Sequence, residues 1–207
     1  MPIDLEPAWV RSPVRAWLQR HVEARLLERL GGRLDGGRAL EIGCGGGVGV
    51  QVVLERFGAR HVQAFDNDPA AVAAAHRRLA AVPRHRLRLG VGDATAIDAP
   101  DASVDGVFCF AVLHHVDDWR AAVAEVGRVL RPGGRFFFDE VTDRALEAWV
   151  LRRFTRHPVH DRFSGEQLVA ELRRHGIDVG DRVRHGLGGR VVLGVGHRVT
   201  GRDPRCR

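Results

Sequence analysis

Apolar residues recur at helical spacing over 8–30, as Val10, Val14, Trp17, Leu18, Val22, Leu26 and Leu27. The spacing predicts an amphipathic helix that Gly31 and Gly32 end. Short apolar runs then alternate with longer amphipathic ones. Strands are predicted at Ala39–Ile42, Val62–Phe65, Leu87–Val91, Val104–Phe110 and Arg135–Val141. A helix fills Gly47–Phe57. Asp68 and Pro69 open the next, as cap and first-turn residue. Asp117 or Asp118 caps a third, whose apolar stripe is Trp119, Val123, Val126 and Leu130. Pro132-Gly133-Gly134 turns the chain into the fifth strand. Ser164 and Gln167 form a capping box for a helix reaching His175. Two last strands, near Ile177–Val183 and Val191–Val195, flank the glycine-rich turn Gly186–Gly189 and are predicted to pair antiparallel. Strand and helix in alternation make an α/β protein with a doubly wound, mainly parallel sheet, seven-stranded with the last strand antiparallel.

Such sheets hold ligands at the carboxyl ends of their strands, and the conspicuous polar residues sit there. Glu41-Ile42-Gly43-Cys44-Gly45-Gly46-Gly47-Val48-Gly49 spans the first strand-to-helix turn. Glycines at such a turn let a backbone approach a ligand closely, and the helix beyond offers free amides. The strict dinucleotide fingerprint fails, because Val48 stands where its third glycine belongs. Glu41, at the mouth of the loop, would also repel a pyrophosphate. Asp66 closes the second strand, where a carboxylate can accept ribose hydroxyls. Asp93 follows the third.

In order along the chain, EIGCGGGVG at 41–49, VQAFDNDP at 62–69, GDAT at 92–95, FAVLHHVDDW at 110–119 and VLRPGGRFFF at 129–138 resemble the class I SAM-dependent methyltransferases. The likeness is to the broad group similar to the ubiquinone/menaquinone-biosynthesis methyltransferases and covers about 35–200. It implies S-adenosylmethionine (SAM) as cofactor and S-adenosylhomocysteine as product. SAM carries two cations and no phosphate, which suits Glu41. By resemblance Glu41, Gly43, Cys44 and Gly45 line the methionine end, Asp66 and Asn67 hold the ribose, Asp93 and Ala94 read the adenine, and Phe110 borders the sulfonium.

Methyl transfer is an in-line displacement, so alignment and desolvation supply much of the catalysis. A hydroxyl or acidic carbon needs a base in addition. His114 and His115, after the fourth strand, and Glu140, with Asp139 at the end of the fifth, are the candidates; one of the two carboxylates should face the pocket and the other away. The whole chain, 1–207, reads as one domain. A cap helix lies in 1–34 and the SAM-binding core in 35–200. An insertion at 143–163, with Trp149, Leu151, Phe154 and Phe163, reads as a substrate lid, and 201–207 as a flexible tail. His157, His160 and Asp161 resemble a metal cluster only superficially, and no metal is expected.

The net charge of +6 and pI of about 10.8 come with no lysine, so arginine alone carries the basic charge. A solvated basic surface accounts for this. Three scattered cysteines, no apolar run of membrane length and no signal-peptide pattern suggest a cytoplasmic protein. A small-molecule acceptor is favoured, with no nucleic acid, in a monomer or homodimer. The alternatives are a lipid or quinone-like acceptor at a membrane surface, a non-catalytic SAM-binding protein, and a nicotinamide oxidoreductase.

Overall fold

The computed structural model describes residues 12–146 and 162–200. Eight strands form one sheet: β1 Arg38–Ile42, β2 His61–Asp66, β3 Leu87–Val91, β4 Val104–Phe110, β5 Leu130–Val141, β6 Ile177–Asp178, β7 Val183–Gly186 and β8 Val191–Arg198. Their order is β3-β2-β1-β4-β5-β8-β6, with β7 also paired to β8. The first five run parallel to their neighbours. β8 is antiparallel to β5, β6 and β7. The chain moves outward from β1 through β2 to β3, then crosses to β4 on the other side. Strand order therefore reverses at β1 and β4, the point where an open α/β sheet leaves a crevice for a ligand.

Two short strands replace the single one expected over 177–183, which is why the sheet has eight strands rather than seven. Gly180 adopts a left-handed φ of 54° and turns the chain between them. The expected turn at 186–189 is present, with Leu187, Gly188 and Gly189 all at positive φ. β5 starts earlier than predicted. Val104 pairs with Leu130 and Gly106 with Arg135, so Arg131–Gly134 loop out of the ladder.

Helices α1 Pro13–Leu18, α2 Ala24–Gly31, α3 Val48–Glu55 and α4 Pro69–Arg78 precede β3, and α5 Trp119–Val129, α6 Asp143–Leu146 and α7 Gly165–Arg174 follow β4. The predicted caps are in place. Asp68 accepts from the Ala70 amide, Asp118 from the Ala121 amide, and Ser164 and Gln167 complete a capping box. Successive side chains of β5 point to opposite faces. Phe136 and Phe138 enter the core under α5 and α7, with Val107, Cys109 and Trp119. Phe137 enters the core under α2 and α3, where its ring lies 5.0 Å from Phe57 and 4.5 Å from Phe108.

The N-terminal helix departs from its expected face. α1 and α2 are joined by a π-helical turn at Gln19–Glu23, which inserts extra backbone into the spiral and rotates the faces on either side. Of the apolar positions that predicted the helix, Val14, Trp17, Val22 and Leu26 are exposed and Leu27 is buried, with Gln19 and Ala24 buried beside it. Among the described residues no helix is long and apolar enough to cross a membrane.

Candidate active site

The glycine loop between β1 and α3 is held in a left-handed backbone. Gly43, Gly45 and Gly47 have φ of 69°, 48° and 83°, a region costly for any residue with a Cβ. A Cβ on Gly43 would also overlap the methyl groups of Val112, and one on Gly49 would overlap Glu41 Oε1. Hydrogen bonds fasten the loop to β2 and α4. The Cys44 amide donates to the Phe65 carbonyl at 2.9 Å. The Gly45 amide donates to Asp66 Oδ2 at 2.8 Å. Arg78 Nε donates to the Gly46 carbonyl at 2.7 Å. Asp66 Oδ1 takes the Asp68 amide at 3.0 Å. Asp66 is thus half-buried and ties the glycine loop to the end of β2, beside exposed Asn67.

Glu41 is 1% exposed, and its Oε2 is buried with no hydrogen-bond partner among the described residues. Burial first, then the nearby Asp66 charge, push its carboxyl well above the ordinary carboxylate range. A buried carboxyl oxygen without a donor in that position is costly and suits a ligand that brings a cation. Gln19, turned inward by the π-helical turn, has Nε2 3.0 Å from where a Gly49 Cβ would stand, and so borders the same spot. Sequence reasoning missed Gln19. Only the helical register could have exposed it, and the π turn breaks that register. Cys44 is buried, and burial together with Glu41 and Asp66 pushes its thiol up to about 12. It is a neutral wall residue and no nucleophile.

After β3, the exposed Asp93 accepts from both the amide and the hydroxyl of Thr95, each at 2.8 Å. These bonds hold its carboxyl below the ordinary value, so it stays an ionised acceptor. Ala94 beside it is buried. Phe110 ends β4, stacked on Phe108 at 6.1 Å. The chain then turns at Ala111, whose φ of 58° is uncommon for a residue with a side chain. Its amide donates to the Asp139 carbonyl at 2.6 Å. Leu113–His115 form a 3-10 turn. His114 is buried and His115 exposed, their rings 4.1 Å apart.

Asp139 and Glu140 do face opposite sides of the sheet, and both are buried. Asp139 lies towards α1, where Arg15 is 3.9 Å away and also pairs with Glu23 at 2.7 Å. Burial, then the Glu23 charge, push the Asp139 carboxyl well up, with Arg15 pulling the other way. A raised carboxyl pKa stabilises the fold at acid pH, and that stability is lost as pH rises from the ordinary value near 3.8 through the folded value. Asp139→Asn cannot ionise. Its Tm relative to wild type should therefore rise between pH 4 and pH 7, by about 2–4 °C per kcal/mol of relieved cost. A difference that stays constant with pH in calorimetry would contradict this.

Glu140 is not the open base the sequence suggested. Oε1 accepts from the Leu113 amide at 2.9 Å, the Val112 amide at 3.1 Å and Cys109 Sγ at 3.2 Å. Oε2 lies 2.9 Å from His114 Nδ1 and 3.4 Å from the His114 amide. Burial pushes the carboxyl up, but the His114 hydrogen bond and charge, the Leu113 amide and the Cys109 thiol more than offset it, leaving the group below its ordinary value. The lid reading of Phe163 also fails. It is buried against Trp119, ring centres 4.8 Å apart. Trp149, Leu151, Phe154, His157, His160, Asp161 and the 201–207 tail lie outside the described residues.

Residues 40–138 match a family described as a methyltransferase domain. A protein of Mycolicibacterium smegmatis, named a probable S-adenosylmethionine-dependent methyltransferase, is 35% identical over 83% of this chain and 64% of its own length. Residues 40–138 are thus similar to a methyltransferase domain, and the chain resembles SAM-dependent methyltransferases. A malonyl-[acyl-carrier protein] O-methyltransferase of Serratia marcescens is 36% identical over 69% of this chain and 54% of its own. The chain thus spans roughly half to just under two thirds of the length of curated relatives that it matches. The SAM-dependent methyltransferase structure of Mesorhizobium loti shares the fold, with a TM-score of 0.69 at 21% identity, covering 87% of this chain and all of that one. The matched residues run from β1 into β5 and take in Glu41, the glycine loop, Asp66, Asp93 and Phe110, while Glu140 lies two residues beyond the match.

Proposed function

We propose that this protein transfers a methyl group from SAM to a small-molecule acceptor by in-line displacement. The observation that carries the reading is the buried carboxyl of Glu41, whose Oε2 has no hydrogen-bond partner among the described residues, beside the left-handed glycine loop. When bound, SAM supplies an electrophilic methyl group on a sulfonium. Glu41 balances the cationic methionine end, and Gly43, Cys44 and Gly45 form its wall. Asp66, with Asn67, accepts the ribose hydroxyls. Asp93 and Ala94 meet the adenine, and Phe110 borders the sulfonium and keeps water from it. On the acceptor side, exposed His115 is the candidate to receive a proton, with His114 behind it; an imidazole takes a proton readily near neutral pH.

A pH dependence follows from Glu41. Its raised pKa in the free protein means that a cation brought beside it expels a proton, so SAM binding tightens as pH rises through that raised value. SAM affinity should increase between pH 5 and pH 7, and Glu41→Gln should flatten the trend. Equal slopes for the two proteins, measured by calorimetry, would remove Glu41 from the site.

The activity is tested by incubating the protein with methyl-labelled SAM and a cell extract, with Asp66→Ala, Asp93→Ala as control. Label is expected in the small-molecule fraction, and only with the intact protein. Label in lipid would support an acceptor at a membrane surface instead, a reading favoured by the exposed Val14 and Trp17 on α1. SAM bound without any transfer would support a non-catalytic role.

A further inference from the structure

The post-β4 loop is the part of the acceptor side that the structure defines most tightly, and a single side chain organises it. Glu140 gathers five donors at the end of β5: a thiol, three consecutive amides and one imidazole nitrogen. All of them come from Cys109–His114. None of this is needed to close the sheet, since the β4–β5 ladder already runs as far as Phe110 and Asp139. The loop is otherwise unfavourable on its own. It starts from the left-handed Ala111, and its three amides at Val112, Leu113 and His114 would be left without this acceptor if the carboxylate were removed, which is costly wherever an amide is buried.

We propose that Glu140 is a positioning residue: its carboxylate folds residues 111–115 around itself and holds the proton of His114 on Nδ1, presenting the histidine pair to the acceptor in one geometry. This rests on the methyl-transfer reading for its consequence, though not for its geometry. A buried carboxylate is acceptor-only, so the 2.9 Å contact with Nδ1 requires a proton on that nitrogen. In the neutral ring the other nitrogen, Nε2, is then the basic one. A carboxylate that fixes the tautomer of a neighbouring imidazole is a known way of setting the direction in which the ring can take a proton, and it can matter greatly to rate even when geometry is preserved. The same carboxylate sets the loop. Val112, one of its donors, packs directly over Gly43, so Glu140 links the acceptor side to the glycine loop through one residue.

Glu140→Gln separates this from a merely structural role. Glutamine has one oxygen and one amide nitrogen in place of two oxygens. The Oε1 position faces three donors, Cys109 Sγ and the Val112 and Leu113 amides, so the glutamine oxygen should settle there. The NH2 group then faces His114 Nδ1, which must become an acceptor, and the ring proton moves to Nε2. Imidazole ¹⁵N spectra of the full chain at pH 8 should show His114 protonated at Nδ1 in the wild type and at Nε2 in the variant. SAM affinity should stay within about threefold, while kcat for the labelled acceptor falls on the order of 100-fold. His114 protonated at Nε2 in the wild type overturns the proposal, even if the variant does not fold. A tautomer switch with unchanged kcat overturns the positioning role. The spectrum needs no acceptor, so a wild type that transfers no methyl counts against the functional reading and leaves the Glu140 geometry to be judged separately.

Discussion

Gly43→Ala is expected to weaken SAM binding on the order of 100-fold. Gly43 has a φ of 69°, where a Cβ costs about 1–2 kcal/mol. The new methyl group would also overlap the side chain of Val112, and overpacking of that kind adds about 1–3 kcal/mol. Since about 1.4 kcal/mol is tenfold in affinity, the combined strain matches the expected loss. The loop has two ways to relieve it, by shifting away from Val112 or by changing backbone conformation, and either one moves the wall of the proposed cofactor site. Calorimetry with SAM, alongside far-UV circular dichroism to establish the fold, checks this. Affinity within threefold of wild type would mean that the loop does not contact the cofactor.

The second large effect is at the ends of β2 and β3. Asp66→Ala removes the acceptor of both the Gly45 and the Asp68 amides and with it the proposed ribose contact. Hydrogen bonds to a charged group contribute about 1.5–3 kcal/mol each, and a loss of SAM affinity on the order of 100-fold is expected. Asp93→Ala should cost less, on the order of tenfold, because its carboxylate is exposed and is held by Thr95 alone among the described residues. Both chains should keep their fold, since neither side chain is in the core. Unchanged affinity in both would overturn the assignment of these loops.

The elements that the sequence made legible are those fixed locally. β3 and β4 have the bounds read from apolar runs, and the caps at Asp68, Asp118 and Ser164 are where side-chain chemistry predicts them. The glycine loop, Asp66 and Asp93 were legible because each follows a strand and lies in a short motif. What escaped depends on long-range geometry. The π turn at Gln19–Glu23 breaks the helical register of the N-terminal segment, where Trp17 is exposed and Gln19 buried. Alternation along β5 correctly put Asp139 and Glu140 on opposite faces, yet period two does not say which face is open. Both turned out to be buried, one among Arg15 and Glu23, the other under the post-β4 loop. Phe163, read as part of a lid, is a core residue: it lies just before the Ser164 cap of α7, its ring against Trp119.

The most direct test of the account is calorimetric titration of SAM into the wild-type protein and Glu41→Gln at pH 7. One SAM should bind per wild-type chain, with an affinity in the roughly micromolar to millimolar range usual for enzyme substrates, and the variant should bind clearly more weakly, because a neutral amide no longer balances the cationic end of the ligand. No heat of binding to the wild type at millimolar SAM, in a folded protein, would contradict it.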